Sequence, residues 1–388
     1  MSFSFWEQNT FIKSPDIVII GSGIVGLNAA LSIKKKSPRT HVIVLERGML
    51  PYGASTRNAG FACYGSASEL LDDLQNNTED EVFSLVERRW KGLKRIREIL
   101  GDEAMEYEPL GGFEVFSSED SHLYEQCISN LSFLNKHLQS ITGEQEIYKI
   151  ADNRISSFGF QKVDHLILNA GEGQIDTGRM MKTLLHAAIS CGVEVLNGAN
   201  VERFEEVADG VNIYLTETQP SAPNTQSTII HSSRVLICTN GFAKKFLPDY
   251  DIKPARAQVL ITSPINNLAV KGSFHYDHGY YYFRNVGNRL LFGGGRNIDF
   301  EKEYTEEFGL TTIVQARLDN MLETTILPNQ KFTIEMRWSG IMGLGSVKTP
   351  IIKKTRENIY CAVRMGGMGI AIGSLVGEDA ASMVLESL

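Results

Sequence analysis

The chain has 388 residues, 43% hydrophobic and 22% charged, with 35 glycines and 11 prolines: a globular composition, large enough for two or more domains, that excludes a disordered or fibrous protein. Its 38 lysines and arginines against 46 acids give a formal net charge of −8, which argues against nucleic acid or an anionic membrane as the main partner and leaves only a local basic patch open. Five scattered cysteines without a C-x-x-C pair, a start MSFSFWEQNTF without signal-peptide character, and no long uninterrupted apolar run predict a reduced, cytoplasmic chain with no integral membrane segment, peripheral attachment to a membrane remaining open.

From Asp16 the run DIVII reads as a strand buried on both faces, GSGIVGLNAALSIKKK as a tight turn and helix, and HVIVLE (His41 to Glu46) as the next strand, a βαβ unit with a right-handed crossover. The stretch RGMLPYGASTRNAGFACYGSAS that follows is too rich in small residues for a packed element and too long for a simple connection, which marks a functional loop. A helix is predicted over Glu79 to Leu100, with Val82, Leu85, Val86, Leu93, Ile96 and Leu100 on one face and Trp90 in the core. Another runs from Thr177 to Cys191, stopped by Gly192. Strands in VEVLNG, NVERFEEV, VNIYLTE and RVLICTNG come next, with Asn197-Gly198 and Asp209-Gly210 as turns. Thr218 to Ser227, polar with two prolines, is a loop. From Ala255 the chain is β-rich (ARAQVLITSP, GYYYFRN, RLLFGGG, FTIEMRWSG), interrupted by one helix near Glu303 to Leu322. It closes with a strand at Asn358 to Val363, GGMG and a final helix.

Gly21-x-Gly23-x-x-Gly26 lies between strand and helix, and Glu46 ends the next strand twenty residues further on. The first glycine permits the turn, the second lets backbone approach a pyrophosphate, the third allows close helix–strand packing, and the helix start at Ile24 and Val25 offers free N–H groups. Glu46 would accept hydrogen bonds from a ribose. FAD and NAD share this fingerprint, and two further features favour FAD: the loop Gly53 to Phe61, whose small residues let backbone lie against a flat ligand, and Gly366-Gly367-Met368-Gly369-Ile370, whose helix N-terminus would stabilise charge on a reduced flavin pyrimidine.

These segments, with E-R-G at Glu46 to Gly48, TNGFAKKFLP, YYYFRNVGNRLLFGGGR and GGMGIAIGSLVGEDAA, resemble the D-amino-acid oxidase superfamily of FAD-dependent amine and amino-acid oxidoreductases along nearly the whole chain. The resemblance implies an α/β chain, α+β overall, with a Rossmann-like FAD-binding domain formed by residues 1–79, 152–249 and 343–388 and an inserted mixed β-sheet substrate domain formed by 80–151 and 250–342. It implies that Glu46 binds ribose, that Arg47 and Val201 lie at the adenosine, and that Ser55, Thr56, Asn58, Ala59, Gly60 and Phe61 line the diphosphate and flavin. Thr239 and Gly241 join the cofactor site, and Gly367, Met368, Gly369 and Ile370 meet the pyrimidine. Arg284 resembles the family's substrate-carboxylate arginine, whose planar fork suits a carboxylate; the competing reading is a hairpin charge or salt-bridge partner. Tyr282 shares its strand face. Phe61, Tyr64 and Trp338 are further candidates for an apolar wall, with core packing as the other reading.

The chain departs from the family where Gly345 to Ile351 (GSVKTPI) replaces a Thr-Pro-Asp-Gly segment, gaining Lys348, a cation for reduced flavin or else a solvent-facing residue. No cysteine sits in the flavin-attachment context of sarcosine oxidase, so the expected FAD is non-covalent. The eight histidines form no metal motif and no metal is assigned; His275 and His278 flank a turn and either face the pocket or lie exposed. The expected reaction oxidises the C–N bond of a small amine or amino acid by hydride transfer to flavin N5, the imine being hydrolysed, with oxygen or a quinone-type acceptor taking the electrons. Alternatives are an FAD-dependent 2-hydroxy-acid dehydrogenase, a non-catalytic flavin-bound interaction subunit and a tRNA-modifying oxidase domain, the last disfavoured by net acidity.

Overall fold

The computed structural model describes residues 4–216 and 228–386. The expected loop at Thr218 to Ser227 lies outside the described residues. A six-stranded sheet runs in the order Ile351–Lys354, Ile359–Val363, Arg234–Ile237, Ile17–Ile20, Val42–Glu46, Glu194–Asn197. All neighbours are parallel except the first pair. Its two central N-terminal strands are buried at every residue, as an uninterrupted β-branched run requires when both faces are covered. One face packs against helices Ile24–Lys36, Glu79–Leu100, Thr177–Ser190 and Gly369–Leu385 through Leu27, Leu93, Leu184 and Val376. The other is covered by a three-stranded sheet (Val201–Val207, Gly210–Leu215, Thr228–Ser232), whose Val211, Ile213 and Ile230 meet Val18 and Ile43.

The first and last of these helices pack closely because glycine faces the seam: a Cβ at Gly377 would lie 2.7 Å from Asn28 Cβ and 2.8 Å from the Val25 carbonyl. The N-terminal ends of both helices therefore stay registered on the same side of the six-stranded sheet.

An eight-stranded mixed sheet follows the order Ile334–Leu344, Lys253–Thr262, Arg289–Gly294, Tyr281–Val286, Ser273–Tyr276, Gly112–Phe116, His165–Asn169, Tyr148–Ile150. One face carries a phenylalanine core (Phe113, Phe274, Phe283, Phe292) under helix Thr312–Met321. Helices Ala67–Asn76, Glu79–Leu100 and Ser121–Thr142 cover the other face at its far end, through Leu70, Val86, Leu134 and Ile167.

Three placements differ from the sequence reading. The single helix expected at Glu303 to Leu322 is split into Phe300–Glu303 and Thr312–Met321. Between them the chain wraps the buried Arg256 guanidinium, which donates to the Lys302 and Glu307 carbonyls and to the Glu303 carboxylate, and Gly309 turns at φ +152°. Strand His165–Asn169, assigned to the nucleotide-binding part, pairs with Gly112–Phe116 and Tyr148–Ile150 in the eight-stranded sheet. Helix Glu79–Leu100 serves both cores, and its Trp90 is half-buried against the second.

Candidate functional site

The two sheets meet over a cavity of about 620 Å³. At one end, Gly21 turns the chain at φ +105°, a left-handed conformation that favours glycine, and a Cβ there would lie 2.9 Å from the Cys238 carbonyl. A Cβ on Gly26 would sit 2.0 Å from the Gly21 carbonyl oxygen, so its role is helix–strand contact. Gly23 opens helix Ile24–Lys36 with no side-chain cap, and the Ile24 N–H donates to Ser55 Oγ at 2.9 Å. Glu46 is buried; its Oε2 accepts from the Ser22 N–H (3.1 Å) and hydroxyl (2.8 Å), and its Oε1 from the Gly48 N–H (2.9 Å). Arg47 lies 3.8 Å over the Phe242 ring, and Lys245 Nζ donates to the Val201 carbonyl at 3.1 Å.

The middle of the cavity is bounded by the segment from Gly53 to Phe61, read from the sequence as a loop, which carries a short helix at Ala54–Arg57 and enters a two-residue strand at Phe61–Ala62. Asn58 shapes it: Nδ2 donates to the Ala54 and Ser55 carbonyls, and Oδ1 accepts from the Gly60 N–H and the Thr177 hydroxyl, both at 2.8 Å. The eight-stranded sheet clamps this loop from beyond, with Trp338 Nε1 donating to the Arg57 carbonyl at 3.0 Å and Arg57 to the Ser339 carbonyl at 2.9 Å. Opposite, Gly366 and Gly367 at φ +60° and +84° deliver the chain to helix Gly369–Leu385, whose N-terminus opens on the cavity. A second helix N-terminus thus faces the same space as the first, and both attract negative charge.

The far wall is supplied by a row across the large sheet in which Glu114, His275, Tyr282, Gly293, Val259 and Trp338 stand opposite one another on successive strands; of these His275, Tyr282 and Val259 line the cavity, whereas Trp338, a candidate for an apolar wall, does not. Phe61 packs edge-on against His275 (5.1 Å) and Tyr282 (5.7 Å), and Gly293 leaves room for the Tyr282 ring, which a Cβ would approach to 2.6 Å. Burial pushes Tyr282 up to about 12 and His275 down to about 4, so both are neutral near pH 7.

A charged pole closes this end. Lys348 Nζ contacts Glu69 at 3.2 Å and Asp73 at 2.7 Å, while buried Arg89 stands 3.7 Å from Glu69. Burial alone would raise Glu69; Lys348 and Arg89 overcome it and hold the carboxyl at about 2. The same two acids raise Lys348 above the usual lysine range against the effect of its burial.

Most residues singled out in the sequence line this one cavity: Gly21, Gly23, Ile24, Val25, Glu46, Arg47, Ser55, Asn58, Ala59, Gly60, Phe61, Val201, Thr239, Gly367, Met368, Gly369 and Ile370, together with Tyr282 and Lys348. Four do not. Gly26 acts behind the cavity, as above. The Thr56 hydroxyl donates back to the Pro51 carbonyl, and Gly241 is packed against the Met342 carbonyl, which its Cβ would approach to 2.4 Å. Arg284 is the main correction: its guanidinium is buried beneath the loop, donating to the main-chain carbonyls of Ala59, Ile175 (2.8 Å) and Asn285 (3.2 Å). It shares the Tyr282 face, as alternation requires, but lies under Gly60, where a Cβ would be 2.6 Å from Nη2. Burial lowers it to about 10.

Of the secondary candidates, Tyr64 is wholly buried, its hydroxyl donating to Asn169, and His275 and His278 both line the cavity. Glu69, Asp72 and Arg296 also line it and were not anticipated. Arg296 lies 5.0 Å and 5.2 Å over the Tyr280 and Phe300 rings and makes no ion pair among the described residues. Only the acid spacing of ASELLDDLQN, with Glu69 and Asp72 three residues apart, carried a local signal.

A cavity with two helix N-termini, a glycine at the first of them and, on its wall, the buried Thr239 hydroxyl, which has no hydrogen-bond partner among the described residues, fits a dinucleotide cofactor. The chain is 23% identical over 389 residues to a probable oxidoreductase OrdL of Haemophilus influenzae, a match covering 97% of this chain and 84% of the relative. In fold it is similar to L-proline dehydrogenase from P. horikoshii (TM-score 0.73, 17% identity, 96% of this chain and 94% of that one). It is likewise similar to glycine oxidase from Bacillus cereus ATCC 14579 (TM-score 0.71, 16% identity, 97% and 96%). Among the described residues no helix is long and apolar enough to cross a membrane. The family model for FAD dependent oxidoreductases, DAO, matches residues 16–383, and the chain therefore belongs to that FAD-dependent oxidoreductase family.

Proposed function

We propose that the chain oxidises the C–N bond of a small amine or amino acid at the end of the cavity walled by Phe61, His275 and Tyr282. The observation that carries this reading is continuity: one cavity joins the Glu46 and Gly23 end to that aromatic wall, past the second helix N-terminus. The six-stranded sheet and its helices would hold FAD, with Glu46 at the ribose, Arg47 and Val201 at the adenine end and the Ile24–Val25 backbone at the pyrophosphate. The N-terminus at Gly369–Ile370 would meet the pyrimidine. When bound, FAD supplies the two-electron acceptor. Non-covalent binding is favoured by the thiols lining the cavity, Cys63 and Cys238, which burial pushes far from the thiolate form.

The chain's own residues then exclude water and orient substrate. Phe61, Tyr280 and Tyr282 offer a mostly apolar surface, which favours an amine in its neutral form over the ammonium. Lys348 is committed to Glu69 and Asp73, and Arg284 to the loop carbonyls. Arg296, beside Tyr280 and Tyr282 at this end of the cavity and without an ion pair among the described residues, is thus a cation open to a substrate carboxylate. Similarity in fold to proteins named an oxidase and a dehydrogenase leaves both oxygen and a quinone-type acceptor in play.

The test is turnover of glycine, N-methylglycine, D- and L-amino acids, polyamines and 2-hydroxy acids, with oxygen uptake, reduction of a soluble quinone and ammonia release followed together. Ammonia or amine release from a nitrogen compound supports the reading. Turnover of 2-hydroxy acids alone replaces it with C–O oxidation. Arg296→Met is expected to raise KM at least ~10-fold for substrates bearing a carboxylate, the loss of one charge-assisted contact, and to leave plain amines unchanged.

A further inference from the structure

The following inference rests on the amine-oxidation reading and concerns a part of the same wall that the cofactor does not explain. His275 lines the cavity, yet its Nε2 is buried with no hydrogen-bond partner among the described residues and faces Glu172 Oε2 at 3.8 Å. A buried unpaired ring nitrogen is uncommon enough to demand a reason. Glu172 is itself held in a made-to-measure niche. Its Oε1 accepts from the Tyr64 N–H (2.9 Å) and the Gly65 N–H (3.1 Å), and Gly112 leaves the space for Oε2, which a Cβ at that position would approach to 2.0 Å. One carboxylate oxygen is thus fixed by backbone while the other is turned toward the imidazole.

An amine reaches the cavity chiefly as an ammonium, and must lose one N–H proton before its lone pair can assist removal of the adjacent hydride. We propose that His275 and Glu172 form a relay that takes this proton. The substrate N–H bond breaks and its electron pair stays on nitrogen. The proton passes to His275 Nδ1, the ring closes the 3.8 Å gap to Glu172 Oε2 and gives up its Nε2 proton there, and nothing is oxidised or reduced in the step. After product leaves, the proton returns through the ring to water.

The surroundings set when the relay works. His275 is faced by Glu172, by Glu69 from helix Ala67–Asn76, and by Tyr282 and Glu114 from the two neighbouring strands; Lys348 and Arg89 stand behind Glu69. Glu172 is surrounded by Tyr64, Tyr107, Tyr148, Cys63, Glu69 and Glu114. Burial raises Glu172 to about 8, with Glu69 and Glu114 adding to it against the two backbone donors, and burial keeps the imidazole neutral above about 4. Below the Glu172 value the carboxyl already carries its proton and the relay is filled; above it the relay can accept.

The experiment is anaerobic stopped-flow reduction of the FAD-loaded protein at saturating amine, from pH 6 to 10, using whichever of glycine, N-methylglycine, D-alanine, L-proline or putrescine reduces wild type fastest. The expected limiting rate rises about tenfold per pH unit and levels near pH 8, a one-proton limb. Glu172→Gln and His275→Asn are each expected to abolish the limb and to lower the plateau by roughly 100-fold, the lower range for a lost proton acceptor. Their flavin spectra before mixing verify loading, and His275→Asn alone suffices if the glutamate variant does not take up FAD. A wild-type limb retained in the loaded variants overturns the relay and leaves amine oxidation standing. Failure of every amine to reduce wild type overturns both.

Discussion

Gly23 and Gly26 lie three residues apart in one motif, yet the structure assigns them separable jobs, and substituting each by alanine tests that assignment. At Gly23 the backbone is ordinary (φ −69°), and a new Cβ would meet only Ser55 Oγ, at 3.0 Å. A serine side chain can move by a few tenths of an ångström, so the ligand-free protein is expected to lose less than about 1 kcal/mol. The same methyl projects into the space where backbone must approach a pyrophosphate. Overpacking there costs about 1–3 kcal/mol, or roughly 5- to 150-fold in FAD affinity. At Gly26 the Cβ would lie 2.0 Å from the Gly21 carbonyl, which is backbone and cannot rotate away. The ~1–3 kcal/mol or more then falls on the fold itself, lowering the melting temperature of FAD-free protein by roughly 1 °C per kcal/mol for a chain of this length. Thermal melting of the FAD-free proteins and FAD titration by flavin fluorescence separate the two. Equal FAD affinity in Gly23→Ala and wild type, or equal melting losses in both variants, would refute the reasoning.

Replacing Arg284 by Met orphans buried carbonyls at Ala59 and Ile175 and is expected to cost about 2–5 kcal/mol in urea unfolding. KM for amino acids should stay within about twofold in the fraction that retains FAD, whereas a carboxylate-binding arginine would show a large KM increase. Glu303→Leu leaves the buried Arg256 charge uncompensated and should destabilise by about 3–5 kcal/mol, much of it recovered in the Arg256→Met/Glu303→Leu double variant. Because the Glu69 pKa is lowered in the folded state, its ion pairs stabilise fully above the ordinary carboxylate range and lose that contribution as pH falls toward about 2. Lys348→Met should therefore move the midpoint of acid unfolding to higher pH, measured by circular dichroism.

What the sequence made legible was local. The Gly21 to Glu46 unit needed only residue spacing and burial of two β-branched strands, and it folded as read. Arg284 shows where such reading stops. Strand alternation correctly gave it the Tyr282 face, but two residues along a strand move a side chain some ~7 Å, enough to leave the cavity and pass beneath the loop carrying Gly60. The stretch from residue 101 to 176 stayed silent for a related reason. Its strand Gly112–Phe116 pairs with Ser273–Tyr276, far along the chain, and nothing nearby announces such a partner. Glu69, His275 and Arg296 converge on one cavity only after the two sheets close over it.

The account stands most directly on one observation in solution: anaerobic titration of the FAD-loaded protein with the amine panel, following the flavin visible band. The account predicts one FAD per chain and complete bleaching by at least one amine, restored on admitting oxygen or a quinone. A protein that cannot be loaded with FAD, or whose flavin is bleached by 2-hydroxy acids and by no amine, would contradict it.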